Sequence, residues 1–182
     1  MRQEEYELQL SLKRIRDKKR RRKLMMGLLI WCICIWGLLH RMYGISVVGG
    51  NSMRPSFCSG DIVIFQRHVP KQLEYGDALI IRSWLDQEKD YIKRVAGLPQ
   101  DVVSVDERGY LVRNGSEIRE AEVIHGYQET DSPITYPYRI PDGSFFVLGD
   151  NRSVSLDSRT FGPISEKQII GKVVAVIRIG GV

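Results

Sequence analysis

The chain has 182 residues, three cysteines and a formal net charge of +5. Residues 1–23 hold ten Lys or Arg against four Asp or Glu, which leaves a net charge of about −1 for residues 24–182. Because the body of the chain has no basic surplus, we expect no nucleic acid partner. Cys32 and Cys34 lie in an apolar run and Cys58 stands apart, so we expect a hydrophobic core rather than a disulfide framework.

The N-terminal segment combines a basic run with an apolar one. Residues 1–23 are polar and end in KKRRRK, and residues 24–39 read LMMGLLIWCICIWGLL. Extended to residue 42, the apolar run reaches the length of a membrane-spanning helix, about 17–25 residues. The stronger basic flank precedes it, which predicts a cytoplasmic N-terminus. We therefore predict a cytoplasmic tail (1–23), a single transmembrane signal-anchor helix (24–42) and an extracytoplasmic domain (43–182).

Two other interpretations of the apolar run are open to the sequence. A buried core helix does not explain the basic flank. A cleaved signal peptide shares the basic and apolar regions, but Arg41, Met42 and Tyr43 follow the run in place of a small-residue cleavage site. We therefore expect an uncleaved anchor.

Beyond the anchor, short β-branched and aromatic runs alternate with turn residues. Regular spacing of this kind predicts a mostly β domain, a compact antiparallel sheet or barrel. Residues 114–140 are more polar and less regular, and we expect a small extension there. The predicted strands are Ile45–Val48, Asp61–Gln66, Asp77–Arg82, Tyr91–Ala96, Val102–Val105, Tyr110–Arg113, Phe145–Leu148 and Gly171–Ile179.

The first segment with catalytic potential is GGNSMRPSFCSGDIVIF, residues 49–65. Pro55 restricts the backbone after Ser52, and Gly60 turns the chain into an apolar strand. A constrained loop ahead of a core strand can hold a nucleophile still. The alternative is an ordinary surface turn, since Gly, Asn, Ser and Pro are common in turns.

The second segment is DYIKRVAGLPQD, residues 90–101. Strand alternation places Tyr91, Lys93 and Val95 on one face. A lysine between apolar neighbours loses solvent, which lowers its pKa and allows the neutral amine to act as a general base. The alternative is a strand lysine whose amine reaches water.

The third segment, GDNRSVSLDSRTFGP at residues 149–163, is dense in hydrogen-bonding side chains. In an extended conformation Ser155, Asp157 and Arg159 would face one way. Asp157 and Arg159 could then pair, and a nearby serine could orient another side chain. The alternative, a solvated surface loop, is disfavoured because apolar strands lie on both sides.

Together, SMRP, GDIVIF, YIKRVAGLP and GDNRSVSLDSR resemble the conserved boxes of type I signal peptidases, most closely the shorter Gram-positive members. The resemblance extends from Leu24 through nearly the whole chain. It implies a membrane-anchored serine endopeptidase that removes signal peptides through an acyl-enzyme, without a cofactor or metal. Its expected partners are signal-peptide-bearing preproteins and the lipid bilayer, with the secretion translocon nearby.

The resemblance also implies a role for each site residue. Ser52 matches the nucleophile, whose backbone N–H contributes to the oxyanion hole, and Lys93 matches the general base. Ser155 matches a second serine that hydrogen-bonds the lysine. Asp157 and Arg159 match a pair that braces the site.

The same resemblance predicts where the substrate binds. Family members prefer small residues at the positions one and three before the cut. We expect the shallow apolar pockets for those residues to come from side chains that flank the dyad in sequence, namely Val48, Met53, Tyr91 and Ile92.

Three positions depart from the family pattern. Gly50 replaces a serine that some relatives use as an oxyanion donor, and Ser56 replaces a common threonine. Gln100 replaces a glycine, so a positive φ at this position would strain the backbone. These changes affect turn geometry rather than the dyad.

Other functions fit the sequence less well. A self-cleaving Ser–Lys regulator needs a DNA-binding domain where this chain has an apolar anchor. A non-enzymatic anchored β-domain does not explain three polar segments. A Ser–His–Asp triad is disfavoured because His40 borders the membrane, and His68 and His125 lie in stretches without a catalytic pattern. No Cys/His spacing predicts a metal site.

Overall fold

The computed structural model describes residues 2–67, 72–82, 89–126 and 133–179. The chain divides into two compact units, Met1–Arg41 and Met42–Val182, each described here by itself. The first unit is formed by helix α1 (Arg2–Met42), so the basic run and the apolar run share one continuous helix. Its part from Arg16 to Met42 is long and apolar enough to cross a membrane.

The side chains in the apolar part of α1 are exposed. Leu24, Trp31 and Leu39 are each more than half exposed. In a helix buried in a protein core such side chains would be packed against other residues, whereas in a membrane-spanning helix they contact lipid. The exposure is consistent with a membrane anchor.

The second unit is built from short strands, as its alternating sequence predicted. Two short helical elements occur late in the described chain, α2 (Ser158–Phe161) and a 3-10 turn (Glu166–Gln168). The strands are β1 (Tyr43–Val47), β2 (Ile62–Gln66), β3 (Ala78–Arg82), β4 (Asp90–Gly97), β5 (Val102–Val105), β6 (Leu111–Arg113), β7 (Ser116–Glu117), β8 (Tyr138–Arg139), β9 (Ser144–Leu148), β10 (Ile164–Ser165) and β11 (Ile169–Ile177).

Two antiparallel sheets arise from these strands. The larger has the order β1-β2-β11-β3-β4-β9-β10, and the smaller has the order β7-β6-β5-β8. All the pairings between neighbours are antiparallel. The prediction of a mostly β, antiparallel domain behind one N-terminal apolar helix is therefore confirmed.

The boundaries of the predicted strands agree with the structure to within two residues. Val102–Val105 agrees at both ends, whereas β11 begins and ends two residues earlier than predicted. The two-residue strands β7, β8 and β10 were not predicted. Such short strands carry almost no local pattern, because pairing with a neighbour creates them.

The larger sheet carries apolar clusters on both faces. Alternation along β3 sends Ile80 into a cluster with Val63, while Leu79 and Ile81 join a second cluster with Val147. These side chains are almost fully buried. Each such side chain contributes about 1.5–3 kcal/mol, so the centre of the sheet is a rigid support for residues on β4.

A third cluster joins the two sheets. Phe146 and Leu148 of the larger sheet pack with Val103 and Leu111 of the smaller one. The region 114–140, predicted as an extension, contains β7 and β8 and adds buried Ile140 to this cluster. Within that region, residues 127–132 lie outside the described residues.

Gln100, which stands where the family pattern has a glycine, has an unusual backbone conformation. Gln100 adopts φ 70°, which confirms the positive φ considered from the sequence. Its side-chain Nε2 donates to Asp142 Oδ1 at 2.7 Å, and its backbone N–H donates to Ile140 O at 2.9 Å. These contacts hold a conformation that costs a residue with a Cβ about 1–2 kcal/mol.

Candidate active site

Ser52 lies on a loop that is tied at its base and at its centre. Backbone hydrogen bonds from Val48 N to Asp61 O and from Gly60 N to Val48 O close the base. Met53 and Phe57 are buried in the apolar cluster on one face of the larger sheet. The residue adjacent to a buried anchor has little freedom, so the loop holds Ser52 in one position.

The segment at residues 149–163 is bound to the Ser52 loop by a backbone hydrogen bond. Asn151 N donates to the Ser52 carbonyl oxygen at 2.9 Å. Ile124 forms an isolated parallel bridge to Asn151, with hydrogen bonds from Ile124 N to Asp150 O and from Arg152 N to Ile124 O. Three separate stretches of the chain therefore meet at Ser52.

Lys93 projects from β4 toward the same point. Its side chain is 1% exposed, and Nζ donates to Ser52 Oγ at 2.9 Å. The Tyr91 ring lies on the same side, with its centroid 5.4 Å from Nζ. Burial lowers the pKa of Lys93 to about 8, although the carboxylates of Asp157 and Asp150 oppose the shift.

Asp157 and Arg159 form a buried pair behind the lysine. Asp157 Oδ1 accepts from Arg159 Nε at 2.8 Å, and Oδ2 accepts from Gly149 N at 3.0 Å. Arg159 Nη2 donates to the carbonyl oxygens of Arg152 and Ser155. Because almost every polar atom of the pair has a partner, the buried charges are compensated.

The geometry of this pairing differs from the expectation. We expected an extended stretch with Ser155, Asp157 and Arg159 facing one way. Instead α2 starts at Ser158, and Asp157 is its N-cap, with its side chain accepting from Arg159 N. The pairing therefore results from a helical turn. An aspartate ahead of a short helix is the usual N-cap signal.

Ser155 also differs from the expectation. Its hydroxyl is buried, and among the described residues Oγ has no hydrogen-bond partner, so the expected bond to Lys93 is not formed. The hydroxyl instead packs against Gly149. A Cβ at Gly149 would overlap Ser155 Oγ and lie 2.6 Å from the Ser52 carbonyl oxygen. Glycine at 149 thus allows both serines to approach the same backbone.

The predicted pocket residues come together beside Ser52. Val48, Met53, Tyr91 and Ile92 all line a cavity of about 50 Å³ that also borders Ser52. A cavity needs about 10–15 Å³ on this measure to hold one water, so a space of this size holds only a few non-hydrogen atoms. The cavity therefore suits a small side chain.

A second concave surface lies beside Ser52 and was missed at the sequence level. Lys93, Ile124, Asn151, Val154 and Leu156 contribute to it. For Val154 and Leu156 a signal was available, because they alternate with the buried Ser155 and Asp157. For Ile124 there was none, since only tertiary contacts bring it to the site.

The two histidines in the described part of the chain make contacts away from Ser52. The His40 ring stacks on Trp36 within α1. The His125 ring stacks on Tyr110 with centroids 4.0 Å apart. His68 lies outside the described residues. Lys93 is thus the basic side chain that contacts Ser52 Oγ in the described part of the chain.

Comparison with known proteins supplies the family. Residues 21–178 match the family described as "Signal peptidase, peptidase S26". The chain belongs to this family.

Curated relatives agree with this membership. This chain is 34% identical over 139 residues to signal peptidase I of Bacillus caldolyticus, and the alignment covers 70% of this chain and 75% of that protein. It is 34% identical over 141 residues to signal peptidase IB of Staphylococcus aureus, covering 69% and 73%. A crystal structure of a signal peptidase I from Enterococcus faecalis aligns with a TM-score of 0.47 and 25% identity, covering 57% of this chain and 98% of that one.

Membership confirms the resemblance to type I signal peptidases. The chain is a serine endopeptidase of the class that removes signal peptides, and its apolar helix is consistent with a membrane anchor.

Proposed function

We propose that this signal peptidase cuts preproteins through a Ser–Lys dyad, with Ser52 as nucleophile and Lys93 as general base. The observation that carries the proposal is the 2.9 Å contact between Ser52 Oγ and Lys93 Nζ in a buried niche. A nucleophile and a base within hydrogen-bond reach are the minimum arrangement for covalent catalysis. Cleavage of this kind needs no cofactor.

The reaction has two steps. Neutral Lys93 takes the proton from Ser52 Oγ while Oγ attacks the scissile carbonyl carbon. The C–N bond then breaks, the leaving amine takes a proton from Lys93, and the acyl group stays on Ser52. Water, deprotonated by Lys93, attacks the ester, and Ser52 Oγ regains its proton. The backbone N–H of Ser52 is the proposed oxyanion donor, and removing such a donor typically costs about 10²–10³ in rate.

The environment of Lys93 supports its role as a base. With a pKa of about 8, roughly a tenth of the lysine is neutral at pH 7, whereas an ordinary lysine is almost fully charged. Burial is the main cause of the lowered pKa. The same burial keeps water from competing for the hydrogen bond to Ser52.

The surrounding residues have positioning roles in this proposal. Asp157 and Arg159 hold the backbone at Gly149 and Ser155, against which the Ser52 loop packs. Ser155 carries a buried hydroxyl that packs against Gly149, near the Ser52 carbonyl oxygen, and in this proposal it helps to position the Ser52 loop. The cavity lined by Val48 and Met53 would take a small side chain before the cut.

The location of the reaction is part of the proposal. The basic run at residues 18–23 precedes the apolar part of α1, and such a flank stays in the cytoplasm. A single-pass anchor would then place the domain from residue 43 onward outside the membrane, near the secretion translocon. Tethering there raises the local concentration of membrane-bound preproteins.

Processing of a secretory precursor by the detergent-solubilised full chain tests this function. We expect one cut after a small residue, identified by N-terminal sequencing of the product. Ser52→Ala and Lys93→Met should abolish the cut while the fold remains. The matched controls Ser116→Ala and Lys167→Met change exposed residues and should retain it. Normal processing by either dyad variant would exclude this mechanism.

A further inference from the structure

The second concave surface beside Ser52, here called the leaving-side groove, has an apolar wall. Ile124, Val154 and Leu156 line it and are 44%, 52% and 43% exposed. Three large aliphatic side chains around one groove next to a nucleophile are a typical feature of a binding surface.

Lys93 identifies which half of the substrate belongs in this groove. In the proposed acylation, the leaving nitrogen must take its proton from Lys93 Nζ, and so it must lie within hydrogen-bond reach of that atom. Lys93 lines the leaving-side groove and does not line the small cavity beside Val48 and Met53. Ser52 borders both. The acyl half therefore fits the small cavity, and the leaving half fits the groove.

We propose that the leaving-side groove binds the first residues after the scissile bond and favours an apolar side chain directly after the cut. This inference rests on the proposed Ser–Lys mechanism. It makes Ile124, Val154 and Leu156 determinants of specificity for the mature N-terminus of the preprotein.

The wall of the groove is held in place. Ile124 is bonded through its backbone to Asp150 and Arg152. Arg152 is buried, and its Nη2 donates to Glu120 Oε1 at 2.6 Å. A supported wall selects between side chains better than a mobile loop does.

The side chains of Val154 and Leu156 point the opposite way from those of Ser155 and Asp157. Ser155 and Asp157 are buried in the site, whereas Val154 and Leu156 face outward. The buried network behind the lysine thus also determines which side chains face the leaving half of the substrate.

Two precursor peptides test the inference, identical up to the cut and carrying either Leu or Ser directly after it. With the solubilised full chain we expect kcat/KM to be about five- to tenfold higher for the Leu peptide, because the groove buries part of the Leu side chain. In Leu156→Ser, Val154→Ser and Ile124→Ser this ratio should fall toward one. Ile177→Ser is the matched control, because Ile177 is 50% exposed and lies on β11; it should keep the wild-type ratio.

The outcomes separate this inference from the dyad mechanism. If the wild type cuts both peptides equally, or if all three groove variants keep its preference, the inference is wrong while Ser52-dependent cleavage still stands. If the wild type cuts neither peptide, the proposed function fails, and the inference fails with it. Three variants are used so that misfolding of one does not decide the result.

Discussion

Ser52 Oγ and Lys93 Nζ lie 2.9 Å apart, although 41 positions separate the two residues in the chain. Ser52 lies on a loop anchored by Met53 and Phe57, and Lys93 lies on β4, an interior strand of the larger sheet between β3 and β9. The lysine is therefore dry and fixed, and its protonation state controls whether the serine can lose its proton.

The first prediction concerns the pH dependence of cleavage. Protonated Lys93 cannot act as a base, so kcat/KM should rise about tenfold per pH unit below pH 8 and level off above it, in line with a pKa of about 8. The measurement is a pH–rate profile on a peptide without ionisable groups near the cut. A flat profile between pH 6 and 9 would contradict the role of Lys93.

The second prediction concerns stability. The pKa of Lys93 is about 8 in the folded chain against 10.5 for free lysine, so burying the charged amine costs about 3 kcal/mol at pH 7. Lys93→Met should therefore raise the free energy of unfolding at pH 7 by about 1–3 kcal/mol. Denaturant titration in mild detergent measures it.

The advantage of Lys93→Met should depend on pH in a defined direction. Between pH 8 and 10.5 the folded wild type has released a proton that the unfolded chain still holds, so the stability of the wild type rises with pH. The difference in the free energy of unfolding between Lys93→Met and the wild type should then become smaller across that range. Lys167→Met, an exposed control, should show neither the gain nor the trend. A gap that stays constant would argue against a lowered pKa.

The third prediction concerns the buried pair. Asp157 is fully buried and accepts from Arg159 and Gly149. Asp157→Ala leaves the Arg159 charge without its partner and should destabilise the domain by about 3–5 kcal/mol. Asp90→Ala is the control, because its contact with Arg82 is exposed and 3.9 Å long; it should cost less than about 1 kcal/mol. Equal losses in the two variants would mean that Asp157 does not brace the fold.

The fourth prediction concerns the backbone at Gln100, where φ is 70°. Gln100→Ala and Gln100→Gly both remove the bond to Asp142, but only glycine relieves the strain. Gln100→Gly should thus be more stable than Gln100→Ala by about 0.5–1 kcal/mol. At Glu117, an exposed strand residue, the order should reverse, because glycine weakens a strand. Thermal unfolding of the four variants compares the two orders.

Local pattern predicted much of the architecture. Alternation along β4 placed Lys93 on one face with Tyr91, and the ring indeed lies 5.4 Å from the amine. The boundaries of the longer strands were predicted to within two residues, because apolar and polar residues alternate along a half-buried strand and this period is visible in the sequence. The two-residue strands and the helical turn at Ser158 were missed, since four residues or fewer carry too little period to detect.

Contacts between distant segments could not be predicted in the same way. The bridge from Ile124 to Asn151 and the packing of Ser155 against Gly149 have no local signature. The sequence alone determined the apolar helix, the β-rich domain and the three polar segments, because each depends on residues adjacent in the chain. Only the tertiary structure decided that Lys93 is buried against Ser52, that Ser155 lacks the expected bond, and that Ile124 reaches the site. These features depend on how strands and loops from separate parts of the chain exclude water together.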